Sequence, residues 1–158
     1  MALFLSTFIN AIDRKGRVSV PAPFRAALGS QNGIVVFRSY KAAALEGSGI
    51  DLMERLGAGL DRLELFSDDR DDLAATIFAD CHQLPIDGEG RVVLPKDLLT
   101  FAEIADKAAF VGRGPTFQIW EPSAFARFQA EARARSRERK LTLKLEPPTP
   151  GHPAGERS

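Results

Sequence analysis

Apolar and polar positions follow the same layout twice along the chain. Phe8-Ile9-Asn10-Ala11-Ile12 alternates like a half-buried strand, and the β-branched run Arg17-Val18-Ser19-Val20 predicts a second strand after a turn over Asp13 to Gly16. From Pro21, Phe24 and Leu28 share a helical face up to Gly29, which predicts a short helix that starts at proline and stops at glycine. Ile34-Val35-Val36-Phe37 then predicts a further strand. Seventy-four positions on, Asp13-Arg14-Lys15-Gly16-Arg17-Val18-Ser19-Val20-Pro21 returns as Asp87-Gly88-Glu89-Gly90-Arg91-Val92-Val93-Leu94-Pro95, and Ala108-Ala109-Phe110-Val111 answers Ile34-Val35-Val36-Phe37. Beyond these strands Arg38 and Leu45-Glu46 correspond to Arg113 and Trp120-Glu121 at an offset of seventy-five, so one insertion separates two copies of a unit.

Between the copies the period changes. Ile50, Leu52, Met53, Leu56, Leu60 and Leu63 lie at helical spacing, and Ser67-Asp68-Asp69 ahead of Leu73 to Phe78 predicts a second, capped helix. The acidic run Asp68-Asp69-Asp71-Asp72 fits a solvated first turn that complements the helix dipole better than a metal or catalytic cluster. A third helix is expected after Trp120-Glu121-Pro122, capped by Ser123, with Phe125 and Phe128 buried against the barrel or a neighbouring subunit and a basic run from Arg133 to Lys140 on a solvated face. The expected organisation is a first repeat over 7–51, a helical connection over 52–80, a second repeat over 81–124, a C-terminal helix with basic extension over 125–145, and a disordered Pro-rich tail over 146–158.

Composition narrows the function. A chain of 158 residues that is 44% hydrophobic can bury a real core, and no apolar run approaches the roughly 20 residues needed to span a bilayer. One cysteine, Cys81, can form no internal disulfide and fits a packed strand position in a reducing compartment, so a cytoplasmic protein is expected. Formal net charge is zero, but it is segregated: residues 1–41 hold six basic and one acidic side chain, 42–90 three and twelve, and 91–158 twelve and eight. Positive potential therefore belongs to the repeats.

The candidate chemistry is binding. No Gly-x-Ser-x-Gly or phosphate-loop pattern occurs, His82 falls in an expected strand and His152 in the tail, and no cofactor, metal or small-molecule substrate is expected. Two related arginine-bearing turns suit recognition better than one asymmetric catalytic constellation. A guanidinium on a glycine turn reaches a phosphate or the O6/N7 edge of guanine with paired donors. Arg14, Lys15 and Arg17 are the sharpest candidates, although Arg17 could instead pair with Asp13 across the turn. In the second turn Gly88 and Glu89 stand where the first has Arg14 and Lys15, so Arg91 either contacts DNA or supports the fold by pairing with Asp87 or Glu89. Arg25 and Arg38 could line the same basic surface or a subunit contact.

These residues resemble the MraZ family of bacterial transcriptional regulators, built from two AbrB-like units. The resemblance rests on Phe8, the motif Asp13 to Pro21 with Phe24-Arg25, the motif Asp87 to Pro95, and Trp120-Glu121-Pro122, and it covers residues from about 7 to 128. It implies an α+β fold with a mainly β core, namely a double-split, swapped-hairpin β-barrel with interleaved hairpins and peripheral helices. It further implies a nucleoid-associated, ring-shaped homo-oligomer that binds double-stranded DNA at short direct repeats in the promoter of the division and cell-wall gene cluster, generally as a repressor. The family's DNA-contacting Lys-Gly-Arg stretch falls on Lys15 and Arg17. The competing expectation from another class is an oligomeric protein-interaction scaffold whose basic turns meet acidic protein surfaces.

Overall fold

The computed structural model describes residues 2–147, and its contacts divide the chain into a unit ending at Ala126 and a unit beginning at Arg127. In chain order the elements are β1 (Thr7–Ala11), β2 (Arg17–Ser19), α1 (Ala22–Leu28), β3 (Gly33–Arg38), β4 (Leu45–Ser48), α2 (Ile50–Leu60), α3 (Asp68–Leu73), a π-helical turn (Ala74–Phe78), β5 (His82–Pro85), β6 (Arg91–Val93), α4 (Lys96–Phe101), β7 (Lys107–Gly112), β8 (Phe117–Trp120) and α5 (Pro122–Arg139). Each repeat thus runs strand, turn, short strand, short helix, strand, strand.

The strands form two sheets. The larger has the order β1-β7-β8-β4-β3-β5, and the smaller is the antiparallel ribbon β2-β6. Copies exchange strands: β1 of the first repeat pairs with β7 of the second, β4 with β8, and β2 with β6. The expected swapped-hairpin β-barrel is nevertheless wrong, because neither sheet closes. β1 and β5 remain as edges of the larger sheet, and β2 and β6 pair only with each other, apart from an isolated bridge between Ile12 and Val18. Two physical features work against closure. The ribbon strands are three residues each, and edge strand β5 ends in Pro85, which has no N–H to extend a ladder.

The core of the first unit lies between the sheets and the short helices. Phe24 and Leu28 of α1, Leu98 of α4, Val18 and Val92 of the ribbon, and Ile34, Val36, Phe110 and Ile119 of the large sheet bury together. Phe4, Phe24, Phe110 and Phe117 meet mostly edge to face or tilted at centroid separations from 5.0 to 6.3 Å, a geometry that adds to the burial of the rings. Phe4 enters this core although it precedes both repeats: its backbone exchanges two hydrogen bonds with Gly114, while neighbouring Leu3 and Leu5 stay exposed.

The helix ends report how far local chemistry determined the fold. Gly29 takes φ 63° at the end of α1, and the Ser67 hydroxyl accepts the Arg70 N–H at 3.2 Å at the start of α3, both as expected. α5 begins two residues earlier than a Ser123 cap allows: the Glu121 carboxylate accepts the N–H groups of Ser123 (3.1 Å) and Ala124 (2.9 Å), so Glu121 is the cap. Phe125 is buried against Trp120 as expected, whereas Phe128 is 41% exposed. Cys81 sits half-buried just before β5, and burial pushes its thiol up to about 11, which fits an inert packing residue. The expected tail reaches into residues 148–158, which lie outside the described residues.

Candidate nucleic-acid interface

Both glycine turns are built by one aspartate each. In the first, the Asp13 carbonyl accepts the Gly16 N–H at 3.0 Å, and Asp13 Oδ1 accepts the N–H groups of Lys15 and Arg17, both at 2.9 Å. In the second, the Asp87 carbonyl accepts the Gly90 N–H at 3.0 Å, and Asp87 Oδ1 accepts those of Glu89 (2.8 Å) and Arg91 (2.9 Å). A short carboxylate that folds back on the backbone explains why aspartate begins each motif. The N–H of the arginine four residues on is the largest cause that holds each carboxyl below its ordinary range.

The turns clamp the opposite repeat. Gly16 has φ 85° and Gly90 φ 81°, and the Gly16 carbonyl accepts the Leu94 N–H at 2.9 Å while the Gly90 carbonyl accepts the Val20 N–H at 2.9 Å. A Cβ on Gly16 would lie 2.6 Å from the Leu94 carbonyl oxygen, so glycine is required for both the conformation and the approach. The result is a near two-fold arrangement, with one turn at each end of a ribbon roughly 10 Å long at the usual strand rise.

Alternation sets the ribbon's faces. Val18 and Val92 point into the core, which leaves Arg17, Ser19, Arg91 and Val93 on the outward face, paired across the strands as Arg17 with Val93 and Ser19 with Arg91. Arg17 and Arg91 therefore lie diagonally on one surface. Ser19 and Val93 join them there, and the signal for both was available in the period-two pattern around the two buried valines.

Side chains break the two-fold relation. Arg17 donates from Nε to Asp13 Oδ2 at 2.6 Å, with 39% of its side chain exposed. This contact uses the inner edge of the guanidinium and leaves both terminal nitrogens without another partner among the described residues. Pairing with Asp13 and presentation to a ligand are thus compatible, since the carboxylate orients the planar group. Arg14 and Lys15 are exposed beside it and make no ion pair among the described residues. Arg91 has a looser and more crowded setting: Nε lies 3.5 Å from Asp87 Oδ2 and is buried without a hydrogen bond, and Nη2 lies 3.4 Å from Glu89 Oε2.

Arg25 belongs to the second turn, not the first. Its Nε donates to the Val20 carbonyl at 3.1 Å, and its guanidinium lies over Gly90, where an added Cβ would meet Nη1 at 2.7 Å. The structure therefore gathers Arg14, Lys15 and Arg17 at one end of the ribbon and Arg25, Arg91 and Glu89 at the other. Arg38 stands apart, because its guanidinium and backbone N–H both bind the Asp80 carboxylate, with Nη2 to Oδ1 at 2.6 Å, and this ties β3 to the end of the helical connection. Among the described residues no group of three or more His, Cys, Asp or Glu could hold a metal ion, and no helix is long and apolar enough to cross a membrane.

Residues 77–145 match the family described as "MraZ protein, putative antitoxin-like". The chain is 44% identical over 147 residues to the transcriptional regulator MraZ of Rickettsia bellii (strain OSU 85-389), a match that covers 91% of this chain and 98% of that protein. It is 42% identical over 146 residues to the protein of the same name from Pelagibacter ubique (strain HTCC1062), across 91% of this chain and 94% of the relative. Identity at this level across almost the whole of both chains, together with the doubled aspartate-glycine-arginine turns, places the chain in the MraZ family.

Proposed function

We propose that the protein is a sequence-specific DNA-binding transcriptional regulator that acts as a repressor. Its targets are short direct repeats in the promoter of the division and cell-wall gene cluster, and it works at the nucleoid in the cytoplasm. The family is regulatory rather than catalytic, and relatives across their full length carry the name transcriptional regulator. One observation supports the DNA reading above others: Arg17 is oriented by Asp13 on the outward face of a two-stranded ribbon, beside the exposed cations Arg14 and Lys15. A two-stranded ribbon fits the major groove of B-DNA, which is about 12 Å wide. Arg17 reads a guanine edge or a phosphate there, while Lys15 and Arg14 neutralise the backbone.

Arg25 and Arg91 extend the positive surface at the other end of the ribbon, where Glu89 opposes them. That end contributes less, because a carboxylate facing phosphate offsets part of the attraction. One neutral chain supplies few phosphate contacts, so affinity comes from several identical ribbons acting together in a ring-shaped homo-oligomer on repeated sites. A mobility shift on a repeat-containing promoter fragment against a scrambled one tests the proposal. Salt-sensitive binding to the first alone is expected; equal binding to both, or none, would favour a protein-interaction scaffold.

A further inference from the structure

Outside the ribbon two chain segments carry strong net charge of opposite sign. Residues 50–80, which carry α2, α3 and the π-helical turn, hold nine acidic and three basic side chains. Residues 127–145, in the second unit, hold seven basic and two acidic ones. Each surface also exposes large apolar side chains. In the acidic segment Leu56, Leu65, Phe66 and Leu73 face solvent, Phe66 at 89%, and of its residues only Met53 is buried. In the basic segment Leu141, Leu143 and Leu145 are exposed, the last two almost completely. Large apolar side chains exposed among charged ones suit an interaction surface.

We propose that the acidic segment 50–80 of one copy docks on the basic segment 127–145 of a second copy, apolar side chains against apolar side chains within a rim of opposite charge. The proposal rests on the homo-oligomer reading above and assigns its contact. Charge selects the occupant: two acidic segments, or two basic ones, repel each other, whereas the observed pair is complementary. The contact is therefore between two different patches, and such a head-to-tail contact repeats from copy to copy until it closes a ring or grows as a filament. It also gives the arginines of α5 a partner other than DNA.

Charge exchange in the full-length chain tests this. Glu54, Glu64 and Asp72 are exposed and make no ion pair among the described residues, and the same holds for Arg133, Arg137 and Arg139. Neither the E54K/E64K/D72K chain nor the R133E/R137E/R139E chain should sediment as the wild-type oligomer when alone. Their equimolar mixture should, because each then offers the surface the other needs, and circular dichroism of each variant reports that it is folded. Wild-type assembly should also weaken as salt is raised from 0.1 to 1 M, where the screening length falls from about 10 to about 3 Å. A monomeric wild type overturns the oligomer reading and this contact with it. A wild-type oligomer with unchanged mass in both variants, or folded variants whose mixture stays dissociated, overturns the contact alone. Loss of DNA binding in the R133E/R137E/R139E chain with its mass unchanged also overturns it and makes 127–145 a nucleic-acid surface.

Discussion

The two glycine turns share a backbone and differ in what they present. Asp13 and Asp87 each hold two N–H groups of the following residues, and Gly16 and Gly90 take the same left-handed conformation and brace the partner strand. Yet the first turn projects Arg14, Lys15 and an oriented Arg17, whereas the second projects Gly88, Glu89 and an Arg91 held between two carboxylates. Residues that make hydrogen bonds to the local backbone were retained as a set, because any change would open the turn. Of the outward residues the arginine is common to both turns, and the two tip positions differ. The two turns thus share one scaffold, and one end of the ribbon carries more positive charge than the other.

The largest effect should come from the glycines. Gly16→Val should be strongly destabilising, since the left-handed backbone alone costs about 1–2 kcal/mol and the new Cβ would strike the Leu94 carbonyl. Gly88→Ala, where an added Cβ meets nothing within 4 Å, should leave stability almost unchanged. Urea unfolding of the two variants measures the difference, and equal midpoints would show that the turn is not a rigid clamp.

Arginine replacement comes next in size. Arg17→Ala should reduce affinity for the repeat-containing fragment by about 1–3 kcal/mol per engaged ribbon while fold and oligomer persist. Arg91→Ala should cost less. Titration by fluorescence anisotropy ranks them, and the reverse order would mean that the second turn leads recognition. A smaller effect sharpens the same contrast at the turn tips. Lys15→Gln should weaken binding and lower the salt slope by about one per engaged ribbon, whereas Glu89→Ala should leave binding equal or slightly stronger. Weaker binding after Glu89→Ala would reveal a favourable contact made by that carboxylate.

The smallest contrast is with pH. Hydrogen bonds from Arg17 and Arg91 hold Asp13 and Asp87 below the ordinary carboxylate range, and the Arg38 side chain does the same for Asp80. A depressed folded-state value means that the stabilisation is present above the unfolded value, near pH 4, and is lost as pH falls through the lower folded values. Acid unfolding of the wild type should therefore begin below about pH 4, and Asp13→Asn should flatten that limb. An unchanged acid limb in Asp13→Asn would show that this carboxylate does not couple to folding.

Much of this was legible in the chain because it is local. Aspartate and glycine at fixed offsets specify a turn, and alternation around Val18 and Val92 specifies which side chains of the ribbon face outward. Ser67 could be identified as a helix cap from its neighbours alone. What escaped depends on the return of distant segments. Nothing near Arg25 indicates that it lies over Gly90, or that Arg38 closes on Asp80 forty-two residues away. Phe4 gave no periodic signal, since an isolated bridge to Gly114 brings it to the aromatic core formed by distant residues. The expected barrel failed for the same reason: closure depends on whether edge strands meet, and Pro85 and the three-residue ribbon strands leave the edges of the larger sheet unjoined.

The proposed DNA reading rests on the first turn, where Asp13 orients Arg17. The most direct measurement is the affinity of wild type and Arg17→Ala for the repeat-containing promoter fragment and for a scrambled fragment, taken across a salt series, with sedimentation to verify that both proteins assemble alike. Wild type should prefer the repeats, and Arg17→Ala should lose this preference while it retains a weak, salt-sensitive affinity for both fragments. An Arg17→Ala protein of unchanged mass that still selects the repeats as well as wild type would contradict it.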